Sequence, residues 1–136
     1  MATIEDVYEF LKHTAPTYML ATVDKKGNPR VRPFGTADLF EGRLYIQTGK
    51  KKEVYKQIVA HPEVEICAWK GADWWRIQGE LVPDERIEAK KHLLDAYPGL
   101  RKMYDENDDN TIVLCFRHAT ATFTSLAGKP SETVSW

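Results

Sequence analysis

Three stretches of this chain carry residue types whose spacing could do chemistry. The first is Ile46-Gln47-Thr48-Gly49-Lys50-Lys51-Lys52-Glu53-Val54, where a strand ends at Thr48 and a helix begins near Lys51. A helix start presents unpaired backbone N–H groups and a partial positive charge, so acidic residues normally gather there. Here three lysines crowd it and Glu53 is the sole nearby acid. A bound phosphate would relieve the conflict, because helix N–H groups and ammonium groups can hold the same anion. The alternative is a solvated lysine run of the kind common on protein surfaces.

The second stretch is Arg30-Val31-Arg32-Pro33-Phe34-Gly35. A spacing of two puts both arginines on one face of a strand. Pro33 frees part of the strand edge, and Gly35 lets a flat ligand approach the backbone. A hairpin back to Tyr45-Ile46-Gln47-Thr48 would bring the lysines and at least one arginine to one anion. In the plainer reading both arginines face solvent and pair with acids such as Asp38. The third stretch is aromatic. Trp74 and Trp75 are adjacent in a strand, so they face opposite sides, and one must be exposed or covered by a partner or a planar ligand.

Other chemistries find no residues. His13, His61, His92 and His118 show no metal-ligand spacing. His13 falls in the last turn of a helix, where a partly positive ring suits the dipole. His118 reads as a packed residue on one face of a long strand. No nucleophile elbow, Walker loop or Gly-x-Gly-x-x-Gly turn occurs, which removes the usual hydrolase and NTPase signatures. No residue is assigned a catalytic role and no metal site is expected. Nineteen Lys and Arg against 20 Asp and Glu give a net charge of −1, without the basic excess of a general nucleic-acid binder. No apolar run nears the roughly 18 residues that span a bilayer. The start, Met1-Ala2-Thr3-Ile4-Glu5-Asp6, lacks a signal-peptide core. Cys67 and Cys115 sit in separate apolar runs and read as buried free thiols of a reducing compartment. The expectation is a soluble, cytoplasmic protein.

These residues must be positioned by the elements around them. A length of 136 residues suits one domain spanning 1–136, with enough chain to bury a core without disulfides. Thr3 and Asp6 resemble a capping box opening a helix whose face is Ile4, Val7, Tyr8 and Leu11. Strands are expected at Thr17–Val23, Arg30–Phe40 (interrupted, bulged or exposed on one edge at Pro33), Arg43–Thr48, Val64–Trp69, Trp74–Val82 and Ile112–Ser125. A second helix carries Val54, Tyr55, Ile58 and Val59. A third, capped by Asp84, carries Ile87, Leu93, Leu94 and Tyr97 and closes at Pro98-Gly99. Residues 105–110 form an acidic loop and 127–130 a turn-like tail. Six strands with three short helices suggest an antiparallel barrel with helices at its edges.

Several segments, in order, resemble the pyridoxamine 5'-phosphate oxidase-related family of FMN-binding split barrels, within it the short members. They are Tyr18-Met19-Leu20-Ala21-Thr22-Val23, Pro29 to Gly35, Leu44 to Thr48, Lys51 to Ile58, His61 to Cys67, Trp75-Arg76-Ile77-Gln78-Gly79-Glu80 and Ala121 to Ser125. The resemblance implies a mainly β, six-stranded Greek-key split barrel and a homodimer with FMN at the subunit interface. Carried over by position, Arg32 and Lys50, Lys51 and Lys52 match phosphate-binding positions. Pro33, Phe34 and Gly35, with Gln47 and Thr48, match segments lining the flavin ring and ribityl chain. Trp74, Trp75 and Arg76 match a strand that approaches the flavin from the partner. The implied activity is an FMN-dependent oxidoreductase acting on an unidentified small molecule or electron donor. A non-catalytic flavin carrier or sensor and a haem-binding split barrel are the alternatives. The chain lacks the C-terminal arginine-rich segment of the true oxidase, so pyridoxal phosphate synthesis is not expected.

Overall fold

The computed structural model describes residues 1–136. Its first helix, α1 (Ile4–Glu9), opens with the capping box read from sequence. The Thr3 N–H donates to Asp6 Oδ2 at 2.8 Å, and the Asp6 N–H returns to Thr3 Oγ1 at 3.4 Å. A widened π-helical turn (Phe10–Thr14) continues it and buries Leu11. Strand β1 (Tyr18–Val23) turns back into β2 (Pro29–Phe34). Asp24 caps that turn by accepting from the N–H groups of Lys26 and Asn28. A short β3 (Asp38–Phe40) pairs with β4 (Arg43–Gly49), which leads into α2 (Glu53–Ala60). Helix α2 buries Val54 and Ile58 and stops at His61, which Pro62 forces into an extended conformation. Strands β5 (Glu63–Lys70) and β6 (Asp73–Asp84) form a hairpin. Then come α3 (Ile87–Ala96), a 3₁₀ turn (Pro98–Lys102), β7 (Thr111–Ser125) and β8 (Glu132–Ser135).

The strands form one antiparallel sheet in the order β2-β1-β5-β6-β7-β4-β3. It curls into a barrel around Tyr18, Leu20, Ile46, Ile66, Ile77 and Phe116. Strands β2 and β3 are its two edges. They follow each other in the chain, yet β2 has no ladder to β3 or β4, so the barrel wall is split along a seam there. Side chains stitch the seam instead. Thr36 Oγ1 accepts the Gln47 N–H at 2.9 Å, the Tyr18 hydroxyl donates to the Thr36 carbonyl, and the Tyr97 hydroxyl bonds both backbone groups of Ala37. A smaller core lies outside the barrel, where α3 lays Ala89 and Leu93 on Tyr45, Val113 and Cys115. Strand β4 is therefore buried on both faces, which is why Leu44-Tyr45-Ile46 runs apolar without alternation.

The mainly β split barrel expected from sequence is present, with eight strands instead of six. The stretch 30–40 is two strands, broken at 35–37, so the hairpin expected between Arg30–Gly35 and Tyr45–Thr48 forms only through residues 38–40. The tail is also a strand: β8 pairs with Thr120–Phe123 of β7, beyond the part of β7 that pairs with β4. A bulge separates the two parts. Gly79 faces both His118 and Ala119, and a Cβ at Gly79 would lie 2.9 Å from Ala119 Cα. His118 takes the strained turn of that bulge, with φ 49°, and stands in solvent instead of packing on a strand face. The bulge frees Ala119, whose backbone exchanges two hydrogen bonds with Trp136. Asp84 does not cap α3. It ends β6 and bonds the Tyr45 hydroxyl and Arg86, the residue that occupies the cap position. Cys115 is buried and Cys67 half-buried; both are free thiols.

Candidate functional site

A cavity of about 260 Å³ opens on the seam. The connection Pro33-Phe34-Gly35-Thr36 forms one wall, and Gln47 and Thr48 at the end of β4 form the floor. Lys52 lies at one end, while Tyr97, Leu100, Met103 and Tyr104 close the far side. Six of the residues singled out from sequence thus meet here: Pro33, Phe34, Gly35, Gln47, Thr48 and Lys52. Gln47 is tied down, its amide donating to the Thr48 carbonyl at 3.1 Å. Thr48 is not: its hydroxyl is buried and has no hydrogen-bond partner. A buried hydroxyl without a partner costs about 1–3 kcal/mol, so Thr48, a residue of the cavity lining, holds an unused hydrogen-bonding group.

Of the basic residues expected at the site Lys52 alone lines the cavity; Arg32, Lys50 and Lys51 do not, and the four differ sharply in their pairing. Lys50 is already spent on Glu85, 2.6 Å away, and that contact raises its pKa. Lys51 and Lys52 have no acidic partner. The turn they occupy leads into α2 without a side-chain cap, and the N–H groups of Glu53 and Val54 find no acceptor in the protein. Arg32 is half-buried. Its guanidinium donates to Thr22 Oγ1 at 2.7 Å, Gln57 Oε1 at 2.9 Å and the Leu20 carbonyl at 3.3 Å, all neutral acceptors. Burial without a counter-charge pulls its pKa down. Gln57 belongs to α2, so Arg32 is tethered to the helix that the free lysines immediately precede. Three cations lacking carboxylates, beside open helix N–H groups, make an environment suited to a multiply charged anion. Arg30 stands apart in solvent, paired with an acid, Asp24, at 3.0 Å, as the plainer reading has it, while Asp38 pairs with His92 at 2.7 Å.

The aromatic pair divides as alternation requires. Trp75 points into the barrel and packs on Phe123 with ring centroids 5.3 Å apart. Trp74 and Arg76 lie on the outer face of the sheet, Arg76 near Glu65 at 3.8 Å. On that face the registers line up Pro33, Met19, Cys67 and Arg76 in one row. Arg76 is therefore three strand spacings, about 14 Å, from the cavity edge at Pro33. Within one chain Trp74, Trp75 and Arg76 do not reach the cavity. The face also exposes Val31 and Trp69.

Sequence reasoning missed Thr22 and Gln57, which hold Arg32, and Thr36, Tyr97, Leu100, Met103 and Tyr104, which shape the cavity. Thr22 was within reach of it: the 24–28 turn sets a register that pairs Leu20 with Arg32 and Thr22 with Arg30. The residues after Pro98 carry no local pattern that points to a ligand. No group of three or more His, Cys, Asp or Glu is arranged to hold a metal ion, and no helix is long and apolar enough to cross a membrane.

The family model described as pyridoxamine 5'-phosphate oxidase matches residues 4–106. Among solved structures, a NimC/NimA family protein from Clostridium acetobutylicum is 38% identical, with a TM-score of 0.89 over 97% of this chain and 92% of that one. A pyridoxamine 5'-phosphate oxidase-related, FMN-binding protein from Nostoc punctiforme is 20% identical, with a TM-score of 0.71 over 96% of this chain and 87% of its own. General Stress Protein 26 from Bacillus anthracis is 14% identical, with a TM-score of 0.73 over 98% of both chains. No curated protein sequence matches the chain.

Proposed function

The chain belongs to the pyridoxamine 5'-phosphate oxidase family, and from that premise we propose that it binds FMN in the seam cavity and serves as a flavin-dependent oxidoreductase for a small molecule. The observation that carries this reading is the set of cations without carboxylates, Arg32, Lys51 and Lys52, of which Lys52 lines the partly apolar seam cavity. A phosphate at the start of α2 would meet the Glu53 and Val54 N–H groups and the two lysine ammonium groups. Arg32, held by Thr22 and Gln57, would supply the third charge. Phe34 and the Gly35 backbone offer a face for a planar ring, and the Thr48 hydroxyl offers a hydrogen bond to a ring heteroatom. Bound FMN supplies the two-electron redox chemistry itself, and the protein contributes binding, orientation and exclusion of water.

The cavity is smaller than the roughly 300–1,000 Å³ usual for a closed small-molecule site. A second copy of the chain, seated on the outer sheet face beside Pro33, would complete it. Val31, Met19, Trp69 and Trp74 give that face its apolar area, and a partner's Trp74 and Arg76 are then free to approach the flavin. A stable dimer of this kind buries more than about 1,000 Å². Oxidation of pyridoxamine or pyridoxine phosphate is not part of the proposal, because a substrate phosphate needs its own donors. Arg101 is tied to Asp95 at 2.7 Å and Glu106 at 2.8 Å, and Arg117 lies away from the cavity. A haem reading lacks support from the site: no histidine lines the cavity. Two free thiols fit a reducing compartment such as the cytoplasm.

The test is the absorption spectrum of purified protein mixed with FMN and passed through a desalting column, with sedimentation of the same sample. Flavin bands that co-elute with a dimer are expected. A colourless protein, or a Soret band without flavin, overturns the reading.

A further inference from the structure

The loop that closes the cavity also grips the lysine turn. Asn110 takes two consecutive backbone groups of that turn: its carbonyl accepts the Lys50 N–H at 2.7 Å, and its side-chain Oδ1 accepts the Lys51 N–H at 3.0 Å. Asn110 is itself fixed by Asp108. One Asp108 oxygen accepts the N–H groups of Asn110 and Thr111 at 2.9 and 2.6 Å, and the other accepts the Thr111 hydroxyl and the Asp105 N–H at 2.9 Å each. The fit is close enough that a side chain at residue 49 would have to displace Asn110. A Cβ at Gly49 would lie 2.9 Å from Asn110 Nδ2 and 3.2 Å from a ring carbon of Tyr104, which lines the cavity.

We infer that Asn110, anchored by Asp108, is a positioning residue for anion binding: it fixes the backbone of Gly49–Lys51 so that Lys51, Lys52 and the first N–H groups of α2 converge on one phosphate. The inference rests on the FMN reading above. Its logic is that of preorganisation. An exposed lysine turn with an unsatisfied N–H at Lys51 would sample many backbone conformations, and ordering it on binding would cost affinity. Asn110 does the ordering in advance. Oδ1 holds the Lys51 N–H in place, and the N–H groups of Glu53 and Val54 remain as the open donors.

The experiment compares FMN with riboflavin, which shares the ring and ribityl chain but has no phosphate. Dissociation constants for both are measured by flavin-fluorescence titration on the wild-type chain, Asn110→Ala, Gly49→Ala and the double variant, with a thermal melt of each. Expected is a loss of about tenfold in FMN affinity for Asn110→Ala, with riboflavin affinity changed by less than about twofold. Gly49→Ala should do the same, by displacing the Asn110 side chain. The double variant should be no worse than either single one, because both break the same grip. Equal losses for FMN and riboflavin, additive effects, or unchanged FMN affinity in folded Asn110→Ala each overturn the inference while leaving the FMN reading standing. A wild-type chain that binds neither flavin overturns both.

Discussion

Replacing Lys51 and Lys52 together by alanine is the sharpest probe of the proposed anion site, because the lysine run is chemically uniform and structurally divided. Lys50 sits 2.6 Å from Glu85, whereas Lys51 and Lys52 have no acidic partner. A hydrogen bond from a charged donor contributes about 1.5–3 kcal/mol. Both free lysines are exposed, so screening puts each near the lower end, for a combined loss of about 3 kcal/mol. That corresponds to roughly a hundredfold weaker FMN binding. Lys50→Ala removes the same charge from the same turn, but one already neutralised by Glu85, and should weaken FMN by less than about threefold. The assay is fluorescence titration with FMN at low and high salt. The wild type should lose affinity as salt rises, and the Lys51/Lys52 double variant should show a flatter dependence. If Lys50→Ala costs as much as the pair, or if riboflavin affinity falls in parallel with FMN, the phosphate does not sit at this turn.

Three further outcomes follow from single residues. Thr48→Val removes a buried hydroxyl that bonds nothing, so thermal melts of the flavin-free protein should show unchanged or slightly raised stability, while FMN titration shows weaker binding; a destabilisation above about 1 kcal/mol would mean the hydroxyl has a partner after all. Trp75→Ala empties the barrel core and should cost about 3–5 kcal/mol in urea unfolding, against a much smaller effect for the half-exposed Trp74→Ala; similar losses would contradict their opposite orientations. For Asp108, burial pushes the carboxyl pKa up, but the N–H groups of Thr111, Asp105 and Asn110 outweigh it and hold the pKa at about 2. A carboxyl depressed on folding stabilises the fold fully above its unfolded value near 3.9 and loses that contribution as pH falls through the folded value. The stability gap between wild type and Asp108→Asn should therefore be constant from pH 7 to 5 and shrink between pH 4 and 2, as read by urea melts at each pH.

The parts of the fold legible in the sequence are those set by neighbours along the chain. Thr3 and Asp6 announce α1 because a capping box is a local hydrogen-bond pattern, and the lysine run conflicts visibly with the helix start it occupies. Alternation correctly separates Trp74 from Trp75, but which one faces inward depends on cross-strand register. The break between β2 and β3 was hidden because Pro33 looks like the interruption. Pro33 in fact stays in β2, and the chain leaves the sheet at 35–37, where the distant Tyr18 and Tyr97 hydroxyls take over the backbone bonds of Thr36 and Ala37. Asp84 has the residue type of a helix cap and is diverted by Tyr45 and Arg86, which only the folded chain brings near. The far wall of the cavity, Tyr97 to Tyr104, spans the proline stop at Pro98, and its position is decided by docking of α3 on β4 and β7.

The seam between β2 and β4 has a consequence for how the protein breathes. Everywhere else around the barrel, neighbouring strands lock one another through a ladder, and opening one strand means breaking several bonds together. At the seam the wall depends on a few side chains, Thr36, Tyr18 and Tyr97, and on whatever fills the cavity. A ligand bound there would take the place of a missing ladder. Occupancy should then be written in the amide hydrogens: slow exchange along β5, β6 and β7 with or without flavin, and protection at Phe34 to Ala37 and at Gln47 that rises only when the cavity is filled. The cofactor would thus be the last stave of the barrel as well as its redox centre.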